Sequence, residues 1–529
     1  MAFSVLIRGG VVVDGTGGEP VCADVGVSGD RIVAIGALAG AEAARVVEAA
    51  GLAVAPGFID IHAHGDVTCL LCPEASARLH DGVTTEVIGN CGESPFPQSA
   101  EMLAERADSA ERHGIAVDWA TLDAFASRHA EAGCALNRAS LVGHGNIRRA
   151  VMGEVDRSPS PAELEAMRRQ VEVALDAGAF GLSTGLIYAP GMYARPEEIH
   201  ALCEVVARRG GLYASHIRGE GDSVEAAIEE FASVGRSTGV RLQLSHVKVS
   251  GQANWWKADR IIERLHALRA EGLDLAADRY PYTAAWTSLS ALLPGWAREG
   301  GRDRMLERLG EPSTRARMRA EVERSRGLES DSAGIVVADA ACDALRAAEG
   351  QSLQAIASQR GCEPSEAMLD ILAASRGRTS VVIFSMCEEN LVKWLKLPFV
   401  AIGSDSASRS AEGPTARGKP HPRSFGTFAR VLGRYAREKG VLTLTEAVRR
   451  MTSLPASRLG LADRGVLRRG AFADITVFDP DEIADRATYG EPQQYSVGVR
   501  YVLVNGALAV DDGRLTGSHS GRFLRKVWA

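Results

Sequence analysis

Short apolar runs alternate with longer amphipathic segments over residues 56–460 of the chain. Strands are predicted where a short apolar run is bounded by turn residues, and helices where apolar positions recur every three or four residues. The predicted strands are 57–62, 84–89, 139–143, 180–184, 211–215, 241–246, 273–278 and 399–404. This alternation favours an α/β fold with a parallel sheet, and eight strands over this length favour a closed, TIM-like (β/α)8 barrel.

The spacing of the predicted strands is uneven near the end of the barrel. About 120 residues separate the seventh strand from the eighth, far more than an ordinary loop contains. We therefore predict an inserted subdomain over residues 286–380. The apolar run at 381–384 is either an extra strand that closes the insertion or the true seventh strand.

Both ends of the chain are rich in short strands and glycine-containing turns. Residues 1–55 precede the barrel pattern, and the same β-rich character returns over residues 461–529. We expect these two segments to pair into one composite β-sandwich domain, with the barrel domain of residues 56–460 inserted between them.

Composition and charge narrow the range of partners. The chain has 529 residues, 46% hydrophobic and 24% charged, with a formal net charge of −7. The charges are mixed in sign, so no nucleic-acid or membrane partner is expected. The odd count of nine cysteines favours reduced thiols. Without a signal-peptide pattern or a long apolar run, we expect a cytoplasmic protein that acts on a small molecule; oligomerisation stays open.

Side chains that bind metals cluster at the predicted strand ends. They are His62, His64, Cys91, His144, His216, His246 and Asp405. The carboxyl ends of barrel strands surround one mouth, where active sites lie. Imidazole, thiolate and carboxylate together suit zinc. His144 is expected to support the site, since the other six donors already fill it.

A zinc site of this kind suits amide hydrolysis. Zinc lowers the pKa of bound water from about 15.7 to near 7, so that hydroxide is available at neutral pH. A carboxylate beside that water, such as Asp405, can accept its proton and pass it to a leaving amine.

Several segments of the chain resemble the amidohydrolase superfamily and, within it, the N-acyl-D-amino-acid deacylase (D-aminoacylase) branch. The cysteine at 91 is the most specific feature, because a cysteine in the metal site marks that branch. The segments are PGFIDIHAH at 56–64, GNCG at 89–92, GLSTGLIY at 181–188, SHIR at 215–218, SHVK at 245–248, KPHPR at 419–423 and MTSLPA at 451–456.

The resemblance implies a ligand set and a reaction. A tight zinc would be held by Cys91, His216 and His246. A second, weaker position would be lined by His62, His64 and Asp405, and the sequence supports either one metal or two. The implied reaction is hydrolysis of N-acyl-D-amino acids by metal-bound hydroxide, with Asp405 as general acid/base, to release a D-amino acid and a carboxylate.

Substrate-binding residues are sought among cations and hydroxyls near the strand ends, because a free α-carboxylate requires them. The candidates are Tyr188, Lys248, Tyr282, Arg218, Ser288 and Arg409, of which we favour the first three.

Two other functions are weighed against deacylation. A cyclic-amide hydrolase of the hydantoinase or dihydroorotase type normally carries a lysine at strand four, whereas this strand ends in Ser183-Thr184-Gly185. A non-catalytic scaffold would have no need for Asp405 together with the candidate ligands.

Overall fold

A computed structural model describes residues 3–105, 114–324 and 332–528. Residues 325–331 of the predicted insertion lie outside the described part. The strands are β1 (Phe3–Val12), β2 (Val21–Ser28), β3 (Arg31–Gly36), β4 (Ala43–Glu48), β5 (Ala53–Pro56), β6 (Phe58–Asp60), β7 (Val83–Ile88), β8 (Asn137–Ser140), β9 (Val142–Gly143), β10 (Gly181–Gly185), β11 (Leu212–His216), β12 (Arg241–Leu244), β13 (Leu275–Arg279), β14 (Ala285–Ser288), β15 (Ile335–Asp339), β16 (Ser380–Ile383), β17 (Val400–Ile402), β18 (Ile475–Phe478), β19 (Val499–Val504), β20 (Ala507–Asp511) and β21 (Arg514–Leu515).

Helices follow most of the strands. They are α1 (Thr68–Leu71), α2 (Ser76–His80), α3 (Ala100–Glu105), α4 (Leu122–Ala132), α5 (His144–Met152), α6 (Pro161–Asp176), α7 (Pro196–Arg208), α8 (Val224–Thr238), α9 (Ala258–Ala270), α10 (Gly295–Arg298), α11 (Gly301–Gly310), α12 (Pro312–Arg324), α13 (Leu353–Arg360), α14 (Pro364–Ala374), α15 (Glu388–Lys396), α16 (Arg423–Arg430), α17 (Leu444–Met451) and α18 (Ser453–Leu459). Helix α6 shows how such a helix begins: Ser160 and Glu163 form a capping box around Pro161, whose missing N–H is not needed in the first turn.

The strands predicted between 57 and 404 lie side by side in chain order. β6, β7 and β8 form one parallel sheet, and β9 to β13 followed by β17 form a second. Leu141 alone separates β8 from β9. Beyond the strand ends, a parallel bridge joins Ala63 to Ser406, and the N–H of Asp405 donates to the carbonyl of His62 at 2.7 Å. The last strand therefore returns to the first, and both deliver their following residues to one place.

The two ends of the chain share one sheet. Its strand order is β21-β20-β19-β18-β5-β1-β2-β3, with β4 paired to β1. The junction is the antiparallel pair β5–β18, in which Val54 faces Val477. Both side chains are fully buried, in a cluster with Ile7, Val25 and Leu503, so the segments that flank the barrel bury their apolar faces together.

Residues 285–383, which include the predicted insertion, contain a small sheet of their own. β16 pairs antiparallel with both β14 and β15, so that Val382 lies opposite Trp286 on one side and Val336 on the other. The run at 381–384 is thus the extra strand of the insertion, and the seventh parallel strand is β13. Helices α11 to α14 pack against this sheet around buried residues that include Met305, Met318 and Leu353.

Within residues 3–105, 114–324 and 332–528, no helix combines the length and the apolar character that a bilayer crossing requires.

Candidate metal centre

Three of the side chains predicted as ligands stand on left-handed backbone. The φ angles are 51° at Cys91, 36° at His246 and 52° at Asp405. Such angles are uncommon for residues other than glycine, and they concentrate at functional sites where the surrounding structure enforces them. Each of the three follows a parallel strand, and the sharp turn aims its side chain back across the strand ends.

A glycine in the loop of Cys91 and a glycine in β10 allow the loop to lie close against the strand. Gly92 has a φ of 78°, and a Cβ there would lie 2.7 Å from the backbone nitrogen of Gly185. A Cβ on Gly185 would in turn lie 2.0 Å from the carbonyl oxygen of Cys91. The hydroxyl of Ser183 accepts from the N–H of Gly92 at 3.0 Å and donates to the carbonyl of Gly89 at 2.5 Å. The position of the sulfur is therefore fixed by a neighbouring strand.

Four donor atoms meet at the centre of the site. His62, Cys91, His246 and Asp405 each offer one atom within 4.8 Å of the other three. The Cys91 sulfur lies 3.3 Å from Nε2 of His62 and 3.6 Å from Nε2 of His246, and Oδ1 of Asp405 lies 3.5 Å from Nε2 of His62. In a tetrahedral zinc site, metal–ligand bonds of 2.0–2.3 Å place neighbouring donors about 3.3–3.8 Å apart. The donor types and their separations fit zinc.

The other two predicted ligands flank this group. Nδ1 of His216 lies 2.9 Å from Nε2 of His246, and Nε2 of His64 lies 3.0 Å from Oδ1 of Asp405. All six donors thus lie in one cluster. The role of each donor stays a prediction.

Asp278, at the end of β13, orients two of the histidines. Its Oδ1 lies 2.8 Å from Nδ1 of His62 and accepts from the backbone N–H of His246 at 2.8 Å, while Oδ2 accepts from Gln243 at 2.9 Å. A carboxylate on Nδ1 selects the tautomer that leaves Nε2 free to bind a metal. Nε2 of His62 accordingly faces the sulfur of Cys91.

The electrostatics of the site favour a positive charge among the donors: although burial opposes it, hydrogen bonds to Asp405 and Cys91 raise the pKa of His64 to about 10. Burial raises the pKa of the Cys91 thiol to about 11, so a thiolate there requires a nearby positive charge. Burial also lowers the pKa of His246 and holds that of His216 well below its usual value, which keeps both imidazoles neutral, as ligation requires. Burial opposes ionisation of Asp405, but Arg423 and His62 outweigh it and hold its pKa well below the ordinary range.

The donors open onto a cavity of about 1550 Å³ between the strand ends and the insertion. Trp286, Leu292 and Ile383, from the segment between β13 and β17, also line this cavity. The predicted residues that line this cavity are Tyr188, Lys248 and Ser288 together with His64, Cys91, His216, His246 and Asp405. His62 lies beneath the surface, with no exposed area.

Three predicted substrate-binding residues bond elsewhere. Arg218 pairs with Glu230 at 2.8 Å, Arg409 donates to the carbonyl of Thr415 at 3.0 Å, and the hydroxyl of Tyr282 donates to the carbonyl of Gly426 at 3.1 Å. Among the described residues, the cavity wall does not include them. They lie two to seven residues beyond the end of a strand, and this spacing does not determine the direction of the side chain.

His144 also has a partner outside the donor cluster. It is fully buried, and its Nε2 lies 2.7 Å from Oε1 of Glu198. This contact places Nε2 of His144 outside the donor cluster, and its supporting role stays a prediction.

Sequence reasoning missed three polar residues of the site: Glu220, Asp278 and Arg423. Glu220 is only four residues beyond His216, and Arg423 ends the KPHPR motif, so both stood close to recognised segments. Asp278 lies at the end of β13, a strand that contributes no predicted ligand. These residues are recognised by their contacts with the predicted metal ligands, which their spacing along the sequence does not reveal.

The sequence profile of the amidohydrolase family matches residues 45–510. The chain belongs to the amidohydrolase family. This amidohydrolase is 39% identical to the N-acyl-D-glutamate deacylase of Alcaligenes xylosoxydans xylosoxydans over 529 residues, 99% of this chain and 97% of that protein. It is 36% identical to the D-aminoacylase of the same organism, over 100% of this chain and 98% of that protein.

Solved structures agree with these relatives. The amidohydrolase superposes with a TM-score of 0.82 and 35% identity on the N-acyl-D-glutamate deacylase from Bordetella bronchiseptica, complexed with zinc and a phosphonate inhibitor that mimics the tetrahedral intermediate; the match covers 99% of this chain and 100% of that one. The superposition on a D-aminoacylase structure has a TM-score of 0.83 at 34% identity, with the same coverage. The D-hydantoinase from Thermus sp. gives 0.56 at 15% identity and shares the fold alone.

Proposed function

We propose that this amidohydrolase hydrolyses the amide bond of N-acyl-D-amino acids. The observation that carries the proposal is the convergence of Cys91, His62, His246 and Asp405 on one point at the floor of a large cavity. The full-length relatives named as deacylases supply the substrate class. The absence of a lysine at the end of β10 argues against a cyclic-amide hydrolase.

The metal would be zinc, with one tight site and a second, weaker one. We assign the tight ion to Cys91, His216 and His246, since the nitrogen atoms of the two histidines face one another and the sulfur lies 3.6 Å from the second. His62, His64 and Asp405 would line the second position. When bound, the ion would polarise the acyl carbonyl and lower the pKa of a water molecule from about 15.7 to near 7.

Asp405 would move the proton. Its Oδ1 faces His64, and its Oδ2 lies 2.9 Å from Nη1 of Arg423, so one oxygen is directed at the reacting centre while the other is anchored. The carboxylate takes a proton from the attacking water as the C–O bond forms. It then gives that proton to the amide nitrogen as the C–N bond breaks, which yields a carboxylic acid and the free amine.

Arg423 and Tyr280 would hold the substrate carboxylate. Both are almost fully buried and line the cavity, and the guanidinium lies 4.6 Å from the centre of the tyrosine ring. Neither Tyr280 Oη nor Arg423 Nε has a hydrogen-bond partner among the described residues, and unpaired buried donors are costly unless a ligand satisfies them. An anionic group of the substrate would pair with both. Tyr188, Lys248 and Ser288 remain candidates along the same wall.

We further infer that the eight parallel strands form a closed (β/α)8 barrel, that residues 1–55 and 461–529 form a separate β-sandwich domain, and that the insertion caps the mouth. The ordered pairing of the strands and the shared terminal sheet support this division.

The test is a panel of N-acetyl D- and L-amino acids with acidic and neutral side chains, assayed for released amine before and after metal removal. We expect turnover of D substrates that is lost with a chelator and restored by zinc. Hydrolysis of hydantoins but of no linear amide, or full activity in chelator-treated, metal-free protein, would overturn the proposal.

A further inference from the structure

Glu220 lies beside two of the histidines, in the loop that follows β11. Its side chain is only 16% exposed. One oxygen, Oε1, lies 3.1 Å from Nδ1 of His246, and the other, Oε2, lies 3.6 Å from Nε2 of His216. A single carboxylate therefore faces one ring nitrogen of each histidine.

The remaining nitrogens of these rings face each other. Nδ1 of His216 and Nε2 of His246 are 2.9 Å apart, on the side of the sulfur of Cys91. A histidine that binds a metal through one nitrogen carries its proton on the other, and a carboxylate that accepts this proton fixes the tautomer and the orientation of the ring. The two histidines thus present their ligand nitrogens inward and their donor nitrogens to the same carboxylate.

We propose that Glu220 is a positioning residue that holds His216 and His246 together as metal ligands. This inference rests on the zinc site of the proposed function and adds the group that orders two of its ligands. Asp278 has the corresponding place beside His62, so each carboxylate would support a different part of the donor cluster.

Lys248 completes the arrangement. Its Nζ lies 2.5 Å from Oε1 of Glu220 and 2.6 Å from Nδ1 of His246. An ammonium group has only donors, so in this arrangement Nδ1 accepts from Lys248. Once Nε2 binds a metal, Nδ1 carries a proton that the ammonium cannot accept, and the contact between Lys248 and Nδ1 must open. The acceptor is therefore Glu220, and Lys248 fixes the carboxylate by pairing with the same oxygen.

A direct role in coordination is the rival arrangement. Glu220, His216 and His246 offer atoms within 4.8 Å of one another, so they could themselves surround an ion. Such an ion would use Nδ1 of His246 and Nε2 of His216, the nitrogens that face the carboxylate, and not the two nitrogens that face each other. The two arrangements differ in how many ions are lost when the carboxylate is removed.

The experiment compares the wild type with Glu220→Gln by zinc titration of the full-length apoprotein against a competing chelator. For a positioning role, we expect the same number of ions and a Kd that rises about 10- to 100-fold. The visible absorption of the cobalt-substituted protein should shift, because the ring orientation changes, and Glu220→Asp should restore part of the affinity.

The matched control is Asp222→Asn, which removes a carboxylate from the same cavity wall two residues away. Its side chain accepts from Asn254 at 2.8 Å, and zinc affinity and cobalt spectrum should match the wild type. An unchanged Kd for both Glu220 variants, or the loss of one whole ion, would overturn the positioning role while leaving the metal centre intact. If the wild type itself binds no zinc, the proposed function fails as well. Should Glu220→Gln not fold, the Glu220→Asp comparison decides.

Discussion

At the scale of single residues, three of the metal donors stand on strained backbone, and buried carboxylates orient the histidines. Cys91, His246 and Asp405 occupy left-handed backbone that costs of order 1–3 kcal/mol each. Hydrogen bonds from the neighbouring strand ends offset this cost, as in the bond from the N–H of Asp405 to the carbonyl of His62 at 2.7 Å. The strain aims three side chains from distant parts of the sequence at one point.

Asp405 is expected to be essential for turnover but not for the tight ion. We predict that Asp405→Asn lowers kcat by about 10²–10⁴-fold, the usual contribution of a general acid/base, because an amide cannot carry the proton from water to nitrogen. The measurement combines released amine with zinc content by elemental analysis. Asp370→Asn, at a half-exposed ion pair with Arg315, serves as the control. Near-normal kcat in Asp405→Asn would exclude the assigned role.

Cys91 is expected to be necessary for metal binding. Replacement by alanine removes the only sulfur among the four clustered donors, so we predict that purified Cys91→Ala retains little or no zinc and no activity. Cys22→Ser, at an exposed cysteine, should keep the zinc content of the wild type. A fully metallated and active Cys91→Ala protein would show that the sulfur is not a ligand.

At the scale of elements, the parallel strands were predictable and the side-chain partners were not. Each parallel strand is a short run buried on both faces, such as Val83–Ile88, and that pattern is visible in the sequence. The metal donors at the strand ends were predictable as well, because each of them follows a strand that this pattern reveals. Asp278 and Glu220 were not, because their roles depend on contacts across the strand ends. Tyr282 and Arg218 failed to reach the cavity because Gly426 and Glu230 offer them nearer partners.

The packing of β10 against the Cys91 loop gives a prediction about an element that supplies no ligand. In Gly185→Ala, the new Cβ would lie 2.0 Å from the carbonyl oxygen of Cys91, and backbone atoms cannot yield without moving the loop. We expect the zinc Kd to rise by about tenfold or more, measured by chelator competition.

The control for that substitution is Gly310→Ala, at the end of α11, where a Cβ would have no atom within 4 Å. Its zinc affinity should equal that of the wild type. Equal affinity in the two variants would mean that the loop of Cys91 adjusts freely and that β10 does not position the sulfur.

At the scale of the whole molecule, buried polar groups connect the terminal sheet to the parallel strands. Asp474 lies just before β18; its Oδ1 accepts from the backbone N–H of Asn505 at 2.7 Å, and its Oδ2 accepts from Asn137 of β8 at 3.2 Å. Arg464 pairs with the same carboxylate. The connection spans more than 300 residues of sequence, so no local pattern could have predicted it, although the β-rich ends suggested that the segments pair.

This buried pair gives a stability prediction for the whole chain. Arg464 and Asp474 are 5% and 4% exposed, so Asp474→Ala leaves a guanidinium buried without its counter-charge and should cost about 3–5 kcal/mol. Asp474→Asn keeps an oxygen for the N–H of Asn505 but loses the charge, so its free energy of unfolding should lie between those of the wild type and Asp474→Ala. The surface pair Arg209–Asp176 is the control, because the side chains are 42% and 58% exposed and Asp176→Ala should cost no more than about 1 kcal/mol. The readout is the denaturant midpoint of the zinc-loaded protein, followed by two signals: tryptophan fluorescence and retained zinc. Since the terminal sheet and the parallel strands are joined at this pair, both signals should shift together in Asp474→Ala; equal midpoints for Asp474→Ala and Asp176→Ala would show that the pair does not hold the two parts together.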